Sequence, residues 1–331
     1  MISDLYYFEA PGLLPYRNQA LEEHLLDRVQ PGELILYLWQ NQHTVVIGRN
    51  QNCWKECRVE QLQHDHGYLA RRLSGGGAVF HDTGNLNFTF IATVGDYDLQ
   101  RQLDVIINAL AQTGIKAVKS GRNDILIDGR KFSGNAFYKR GDKRYHHGTI
   151  MVDVDTAALG RYLQPSPAKL AAKGVDSVRS RVANLVEFSP SLSVERLREL
   201  LIASFSEVYH GRAQKLSLTG SENSEIERLT AQYADWQWIC GHQADLASQL
   251  ERRFPWGEIT IQLQIEQGMI NDAAVYSDAM EGELILQLAG LLTGCRYQAA
   301  EIAQRLRQAE MNNLSENRII DDITAWLATS I

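Results

Sequence analysis

The chain has 331 residues, of which 44% are hydrophobic and 22% are charged, and its formal net charge at pH 7 is −7. This length predicts about two domains of ordinary globular composition, and the acidic balance disfavours nucleic acid as a partner. No run of about 18 apolar residues occurs and the N-terminus lacks a basic start before an apolar run, so neither a membrane span nor a secretory signal is expected. The four cysteines are scattered, which disfavours a zinc ribbon and favours a reducing compartment, the cytoplasm.

The first half of the chain alternates between helix-type and strand-type patterns. Apolar residues at helical spacing predict a helix over residues 16–29, and Pro31-Gly32 ends it. A second helix is expected at residues 99–114. The turn signals Asp128-Gly129 and Arg140–Asp142 divide residues 124–153 into three strands. Further strands are expected at residues 33–38, 44–48, 69–73 and 86–93.

The second half of the chain predicts a smaller unit after a long polar stretch. Residues 163–182 show little periodicity, which predicts a long loop or a set of short helical pieces, and loops of this length are usually functional or disordered. A helix is expected at residues 194–208. A second domain of about 80 residues is predicted to begin near residue 245. Its strand at 258–265 alternates apolar and polar residues, and a hairpin partner follows at 269–276. Its helices are expected at residues 281–292, 297–311 and 315–329.

The most informative stretch is R-R-L-S-G-G-G-A-V-F-H-D at residues 71–82, which contains a glycine-rich segment at residues 74–77. Three consecutive glycines after a strand allow a close approach to a ligand, and exposed N–H groups there can bind anions. The segment lacks the Lys of a Walker A loop and the following helix of a dinucleotide loop. It predicts either a ligand-binding loop or a glycine bulge in a tight β turn. Arg71 and Arg72 alternate along a strand, so one is expected to face a phosphate and the other solvent.

A second group of candidates surrounds Lys131, which follows the hairpin turn at Asp128-Gly129. Lys131 is either a solvated edge residue or a cation that stabilises developing charge. Asp124 is either a magnesium ligand, since magnesium takes one or two carboxylates with substrate phosphates, or a turn residue. His146 and His147 are neighbours in a strand and point to opposite faces, so they cannot share a metal ion. One of the two is expected to be buried and hydrogen-bonded.

Taken in order, these segments resemble the lipoate–protein ligase A family, strongly over residues 34–190 and more weakly to the C-terminus. The resemblance implies an α/β (α+β) fold. It comprises a large biotin/lipoate ligase-like catalytic domain with mixed β-sheets, residues 1–245, and a small C-terminal α/β accessory domain, residues 246–331. The motifs that carry the resemblance are T-V-V-I-G-R-N-Q-N at 44–52, R-R-x-S-G-G-G-A-V-F-H-D at 71–82, S-G-R-N-D at 120–124, R-K-x-S-G at 130–134 and H-H-G-T at 146–149.

The resemblance implies that lipoate attacks ATP to give lipoyl-AMP, and that an acceptor lysine then takes the lipoyl group. Lys131 would contact both the lipoyl carbonyl and the α-phosphate, and Asp124 would hold Mg²⁺. Residues 169–182 would close over the adenylate. The residues implied to bind ATP and the adenylate are Arg72, Gly77, Ala78, Val79, Phe80 and Lys131. Those implied to line the lipoate slot, besides Lys131, are Val46, Gly76, Val79, Phe80 and His81.

The implied acceptors are lipoyl domains of 2-oxoacid dehydrogenase E2 subunits and the glycine cleavage H protein. A slot for an eight-carbon acyl chain should accept octanoate as well as lipoate. Lys139, Arg140, Lys143 and Arg144, with Arg179 and Arg181, form either a basic rim that steers an acidic acceptor or a solvated charged turn. Three rival functions remain. An acyltransferase would need no ATP, a biotin ligase would carry a G-R-G-R-x-G loop that is missing, and a ligand sensor would not need Lys131 and Arg72.

Overall fold

The fold was determined as a computed structural model that describes residues 2–120, 124–164, 182–241 and 248–330. Most of the predicted loop at 163–182, with Arg179 and Arg181, lies outside these ranges. The strands are β1 (Asp4–Glu9), β2 (Glu33–Trp39), β3 (Thr44–Ile47), β4 (Tyr68–Arg71), β5 (Val79–His81), β6 (Asn85–Thr93), β7 (Val118–Ser120), β8 (Asp124–Ile127), β9 (Arg130–Arg140), β10 (Lys143–Met151), β11 (Gln214–Lys215), β12 (Ser248–Phe254), β13 (Gly257–Glu266) and β14 (Met269–Ser277). The helices are α1 (Pro15–Arg28), α2 (Cys53–Glu56), α3 (Val59–His64), α4 (Leu99–Ala111), α5 (Thr156–Tyr162), α6 (Val194–Val208), α7 (Gly220–Ala234), α8 (Trp236–Cys240), α9 (Gly282–Leu292), α10 (Ala299–Leu306) and α11 (Leu314–Ser330).

An eight-stranded mixed sheet with the order β11-β1-β2-β6-β10-β9-β8-β7 forms the body of the molecule. Strands β1 and β2 are parallel, and the pairs from β2 through β6, β10 and β9 to β8 are antiparallel. Strand β2 is apolar on both faces because helices cover both sides of the sheet. Leu34, Leu36 and Leu38 pack in the core shared with α4 and α6. The alternate residues of β2 pack against α1 and α7.

A three-stranded sheet with the order β4-β3-β5 lies beside the large sheet. Strand β3 is parallel to β4 and antiparallel to β5. One face of this small sheet packs in a core with α2, α3, α5 and α8. The predicted strands at 33–38 and 44–48 are both present, but they belong to different sheets, because the polar residues between them carry the chain from one sheet to the other. The glycine-rich segment joins β4 to β5.

The C-terminal residues form an antiparallel sheet, β12-β13-β14, covered by α9, α10 and α11 around a core of their own. The predicted hairpin is confirmed, with Ile259, Ile261 and Leu263 of β13 buried on one face. Strand β12 was not predicted, since Arg252–Gly257 was interpreted only as a break in the pattern. The proposed domain boundary at 245/246 falls in residues 242–247, outside the described ranges, and stays a prediction.

Among the remaining elements, several predicted ones are present, whereas β1, α2, α3, α5, α7 and α8 were not predicted. The helix predicted at 194–208 is present with those bounds, and Ser193 caps it by accepting a hydrogen bond from Arg196 N at 3.1 Å. The three strands predicted in 124–153 are β8, β9 and β10. Within the described ranges, no helix combines the length and the apolar character that a membrane span requires.

Candidate active site

The glycine-rich segment, residues 74–77, is held against the loop that follows β3. Gly76 has φ of +91°, a conformation that favours glycine. A Cβ atom placed on Gly48 would overlap the carbonyl oxygen of Gly76, so the two backbones touch at this point. Gly48 has a φ outside the left-handed region, so its backbone conformation does not require glycine. The close approach of the two backbones does.

We expect Gly48→Ala to displace the glycine-rich segment and to lower the free energy of unfolding by about 1–3 kcal/mol, the usual cost of overpacking. Urea unfolding measures the loss. Gly95→Ala is the matched control, since its added Cβ would meet nothing within 4 Å. Equal stability of the two variants would contradict the close approach.

The Arg72 guanidinium organises the glycine-rich segment from within. It donates hydrogen bonds to the carbonyl oxygens of Gly75 and Gly77, each at 2.8 Å, and to Ser74 Oγ at 3.0 Å. Only 7% of Arg72 is exposed, and burial lowers its pKa to about 10. A buried cation in this setting fixes the positions of the backbone carbonyls around it.

Arg71 is buried to the same degree on the other side of β4, with 7% exposed. The expectation that one of the two arginines faces solvent is therefore wrong. The Arg71 guanidinium is held by backbone carbonyls instead of water, which explains its burial. Its hydrogen-bond acceptors are the carbonyl oxygens of Gly48, Arg49, Gln51, Trp238 and Ile239.

A buried hydrogen-bond chain connects the large sheet and α1 to the glycine-rich segment. Trp39 Nε1 donates to Thr89 Oγ1 at 3.1 Å, and the Thr89 hydroxyl donates to Glu22 Oε1 at 2.7 Å. Glu22 Oε1 lies 2.8 Å from His147 Nδ1, and His147 Nε2 lies 2.8 Å from Ser74 Oγ. Each ring nitrogen of His147 thus has one hydrogen-bond partner, Glu22 at Nδ1 and Ser74 at Nε2. This chain therefore fixes Ser74, the first residue of the segment.

Both members of the His146-His147 pair are buried, where the sequence predicted one. His146 lies on the opposite face from His147, 2.8 Å from Asn135 Oδ1. Burial, with smaller contributions from His147 and Lys119, lowers the pKa of His146 to about 3. Burial likewise lowers the pKa of His81 to about 3, with Arg72 and His147 adding to the effect.

These two depressed pKa values predict that the protein loses stability as the pH falls below about 6.5, the ordinary histidine pKa. The unfolded chain takes up these protons there and the folded chain does not, so the free energy of unfolding falls by about 1.4 kcal/mol per pH unit for each histidine. Urea unfolding between about pH 7 and 5 measures the slope. We expect His146→Gln to reduce this slope by about 1.4 kcal/mol per pH unit, the contribution of one proton. The control His66→Asn, at an exposed position with φ of +57°, should leave the slope unchanged.

Lys131 and Asp124 form the second part of the site. Lys131 Nζ lies 2.7 Å from Asp124 Oδ1, and the two side chains are 36% and 30% exposed. A β-bulge between β8 and β9 shifts the register here, and Phe132 beside Lys131 is fully buried. A Cβ on Gly134 would lie 2.8 Å from Lys131 Nζ, so Gly134 leaves room for the ammonium group.

The two parts of the site lie on the same face of the large sheet. The Cβ position of Gly134 is close to both Lys131 Nζ and Thr149 Oγ1, at 2.8 and 4.0 Å. Thr149 and His147 are two residues apart on β10, so they share a face and are about 7 Å apart along the strand. Because His147 holds Ser74, this face presents the lysine and the glycine-rich segment together.

The candidate lipoate-slot residues fall on two faces of the small sheet. Val46 pairs with Val79, and Thr44 pairs with His81, so Val46, Val79 and His81 share one face. The His81 ring lies 6.1 Å from the Trp39 ring of the large sheet, so this face looks toward the large sheet. Phe80 points the other way and stacks on Tyr162, with ring centroids 5.6 Å apart.

The C-terminal unit caps the glycine-rich segment. Gly76 N donates to the carbonyl oxygen of Ala279 at 3.0 Å. Asn50 Nδ2 donates to the carbonyl oxygen of Gly282 at 2.7 Å, and the Asn50 carbonyl accepts from Ser277 N at 2.9 Å. These contacts, like Glu22 and Ser74, were not predicted as parts of the site, since they join residues far apart in the sequence.

The basic hairpin is largely paired with the protein's own acids and rings. Arg140 Nη1 donates to Glu23 at 2.7 Å, and Lys143 contacts the backbone of Asp27. The Arg144 guanidinium carbon lies 4.4 Å from the centroid of the Tyr97 ring. Lys139 is exposed. The predicted basic rim is therefore weaker on this hairpin than its sequence indicated.

Comparison with known proteins agrees with this arrangement. Residues 14–206 match the lipoyl protein ligase A/B catalytic domain, and residues 244–327 match the bacterial lipoate protein ligase C-terminus. A mixed-sheet catalytic body that presents a lysine beside a glycine-rich segment, followed by this C-terminal unit, thus defines a lipoyl protein ligase architecture.

Individual relatives match over most of their lengths. Lipoate-protein ligase A of Psychrobacter cryohalolentis is 40% identical over 323 residues, 95% of each chain. The structure of P. falciparum LipL1 in complex with lipoate has a TM-score of 0.86 at 26% identity and covers 98% of this chain and 99% of that one. The chain belongs to the lipoate–protein ligase A family and is an enzyme of the ligase class, so the predicted family and fold class are confirmed.

Two further solved structures each cover about three quarters of this chain. A bi-partite lipoate protein ligase of Thermoplasma acidophilum, solved in work on that organism's lipoylation system with its E2 lipoyl domain, has a TM-score of 0.65 at 28% identity. It covers 74% of this chain and 99% of that one. A lipoate-protein ligase A bound with ATP has a TM-score of 0.64 at 28% identity, and covers 73% of this chain and 99% of that one.

Proposed function

We propose that this enzyme activates lipoate with ATP to form lipoyl-AMP and then transfers the lipoyl group to a lysine of a lipoyl domain. The observation that carries the proposal is the Lys131–Asp124 pair, a half-exposed ammonium group on the same sheet face as the glycine-rich segment. The lipoate complex and the ATP complex of its relatives support the choice of the two substrates.

Lys131 would act in both chemical steps. Negative charge develops on the α-phosphate when the lipoate carboxylate attacks, and on the acyl carbonyl oxygen when the acceptor amine attacks. A fixed cation that reaches both oxygens lowers both barriers. The Asp124 carboxylate orients Lys131 for this role, because Asp124 Oδ1 lies 2.7 Å from Lys131 Nζ.

Asp124 also fits the requirements of a magnesium ligand. Within the described ranges, no group of three His, Cys, Asp or Glu side chains could hold a metal ion. Magnesium does not need such a cage, since it takes one or two carboxylates together with substrate phosphates. Mg²⁺ held by Asp124 would supply charge neutralisation on those phosphates.

The glycine-rich segment and the start of β5 supply the proposed nucleotide contacts, through Gly77, Ala78, Val79 and Phe80. The Arg72 guanidinium is already surrounded by carbonyl oxygens of this segment. We therefore assign Arg72 to shaping the segment that receives the adenylate.

The proposed lipoate slot lies between the two sheets and would be lined by Val46, Gly76 and His81; the His81 ring lies 6.1 Å from the Trp39 ring of the large sheet. Neutral His81 suits an apolar acyl chain, because burial lowers its pKa to about 3. A slot of this kind accepts octanoate as well as lipoate, because the two acyl chains have the same length.

The proposed acceptors are lipoyl domains of 2-oxoacid dehydrogenase E2 subunits and the glycine cleavage H protein. Support for the first comes from the Thermoplasma acidophilum system, which pairs a related ligase with an E2 lipoyl domain. A cytoplasmic location is proposed from the four cysteines, all of which are free thiols.

The test is lipoate-dependent exchange of labelled pyrophosphate into ATP, followed by mass analysis of an added lipoyl domain. We expect exchange with lipoate alone and a lipoylated lysine when the acceptor is present. Transfer from synthetic lipoyl-AMP without any exchange would overturn the ligase proposal and identify a transferase.

A further inference from the structure

Two buried cysteines from distant parts of the chain meet behind the glycine-rich segment. Cys53 is the first residue of α2, and Cys240 is the last residue of α8, 187 positions later. Their Sγ atoms lie 2.8 Å apart, and both are free thiols. Only 1% of Cys53 and 7% of Cys240 is exposed. The two thiols are therefore already at a separation from which a disulfide needs only a small movement.

The surroundings of this pair make one sulfur the nucleophile and the other its partner. The hydrogen bond shared with Cys240 lowers the pKa of Cys53, and the Arg71 guanidinium lowers it further against the opposing effect of burial. The same hydrogen bond and burial raise the pKa of Cys240. Cys57 lies one helical turn from Cys53, but burial raises its pKa to about 12. Thiolate reactivity thus favours Cys53.

We propose that Cys53 and Cys240 are a redox modification site, which closes to a disulfide when a small two-electron oxidant such as hydrogen peroxide reaches it. The Cys53 thiolate attacks one peroxide oxygen, the O–O bond breaks, and Cys53 becomes a sulfenic acid as one water is released after protonation. The Cys240 sulfur then attacks the Cys53 sulfur, the S–O bond breaks, and the second water leaves. Both sulfurs are oxidised, and the peroxide is reduced to two waters.

Access of the oxidant does not require the protein to unfold. Helix α8 has five residues, and Trp236 at its start is 45% exposed. Short elements at a surface open locally at low cost, which admits a molecule as small as peroxide.

The crosslink would join two segments that already meet at the active site. The loop before α2 carries Gly48, which touches Gly76. Helix α8 is held to that loop by Arg71, which donates to the carbonyl oxygens of both Gln51 and Ile239. A covalent bond here restrains the unfolded chain over a long loop, so oxidation should raise the thermal unfolding midpoint of the wild-type protein.

The test treats the fully reduced full-length chain with hydrogen peroxide and follows thiol titration, intact mass and peptide mapping without reductant. We expect the titratable thiols to fall from four to two, with loss of two hydrogen atoms in mass and a mapped Cys53–Cys240 peptide pair. Dithiothreitol should restore all four thiols. Cys53→Ser and Cys240→Ser should abolish the crosslink, and the matched controls Cys57→Ser and Cys295→Ser should keep it.

The mapped wild-type product is decisive even if a serine variant folds poorly. A wild-type protein that keeps four thiols at peroxide concentrations that oxidise free cysteine would overturn the proposal. A mapped Cys53–Cys57 bond would overturn it too. Pyrophosphate exchange has no part in this readout, so the outcome is independent of the proposed function.

Discussion

Replacing Lys131 with alanine is expected to lower the rate of lipoate-dependent pyrophosphate exchange by about 10²–10³-fold, the usual effect of removing one group that stabilises a developing oxyanion. The Lys131 ammonium is the cation that Asp124 holds at 2.7 Å on the active face of the sheet. Transfer from synthetic lipoyl-AMP should fall as well, because the same cation serves the acyl carbonyl oxygen. Stability should change little, since the side chain is 36% exposed.

Lys139→Ala is the matched control, because Lys139 lies on the same strand, β9, and is exposed. It should leave exchange unchanged. Lys131→Arg should recover little of the lost activity, since a guanidinium cannot occupy the small space over Gly134. Wild-type exchange rates in Lys131→Ala would remove Lys131 from the adenylation step.

Arg72→Ala is expected to lower the free energy of unfolding by about 1–3 kcal/mol, the usual cost of leaving buried hydrogen-bond acceptors without their donor. The substitution removes the donor that holds the carbonyl oxygens of Gly75 and Gly77 and the hydroxyl of Ser74, and it leaves those acceptors buried without that donor. Urea unfolding measures the loss. Arg72→Lys should recover part of it, because an ammonium group keeps the charge but lacks the planar, forked geometry.

An exposed arginine provides the comparison for this experiment. Arg196 pairs with Glu199 on the surface of α6, and its side chain is 58% exposed, so Arg196→Ala should have little effect on stability. If Arg72→Ala weakened ATP binding while the free energy of unfolding stayed at the wild-type value, Arg72 would be a direct nucleotide ligand instead of a support for the segment.

Local periodicity was enough to predict the elements that have one buried face. Strand β13 alternates buried isoleucine and leucine with polar residues, and α6 carries a regular apolar stripe, so both were predicted. Strand β12 is an edge strand whose residues are all at least partly exposed. It therefore lacks the apolar alternation by which β13 was recognised. Helix α7 buries only Ile226, Leu229 and Tyr233, and no helix was predicted there.

The site was harder to predict, because its geometry depends on contacts between distant residues. Through the family resemblance, the motifs indicated Lys131, the glycine-rich segment and the residues next to them in the sequence. Nothing local to Glu22 indicates that its carboxylate meets His147, 125 positions away. Arg71 and Arg72 look like surface residues in a sequence, since burial of a guanidinium depends on carbonyl oxygens that only the fold brings together.

The Ala279 carbonyl that accepts from Gly76 N has a consequence for ligand affinity. This carbonyl competes with an anionic ligand for the Gly76 N–H group, and its effective concentration is high because it belongs to the same chain. An anion that uses this N–H group binds only the fraction of molecules in which Ala279 has moved away, and its apparent dissociation constant rises in inverse proportion to that fraction. Weakening the neighbouring Asn50–Gly282 hydrogen bond would then tighten nucleotide binding, although neither residue needs to touch the nucleotide.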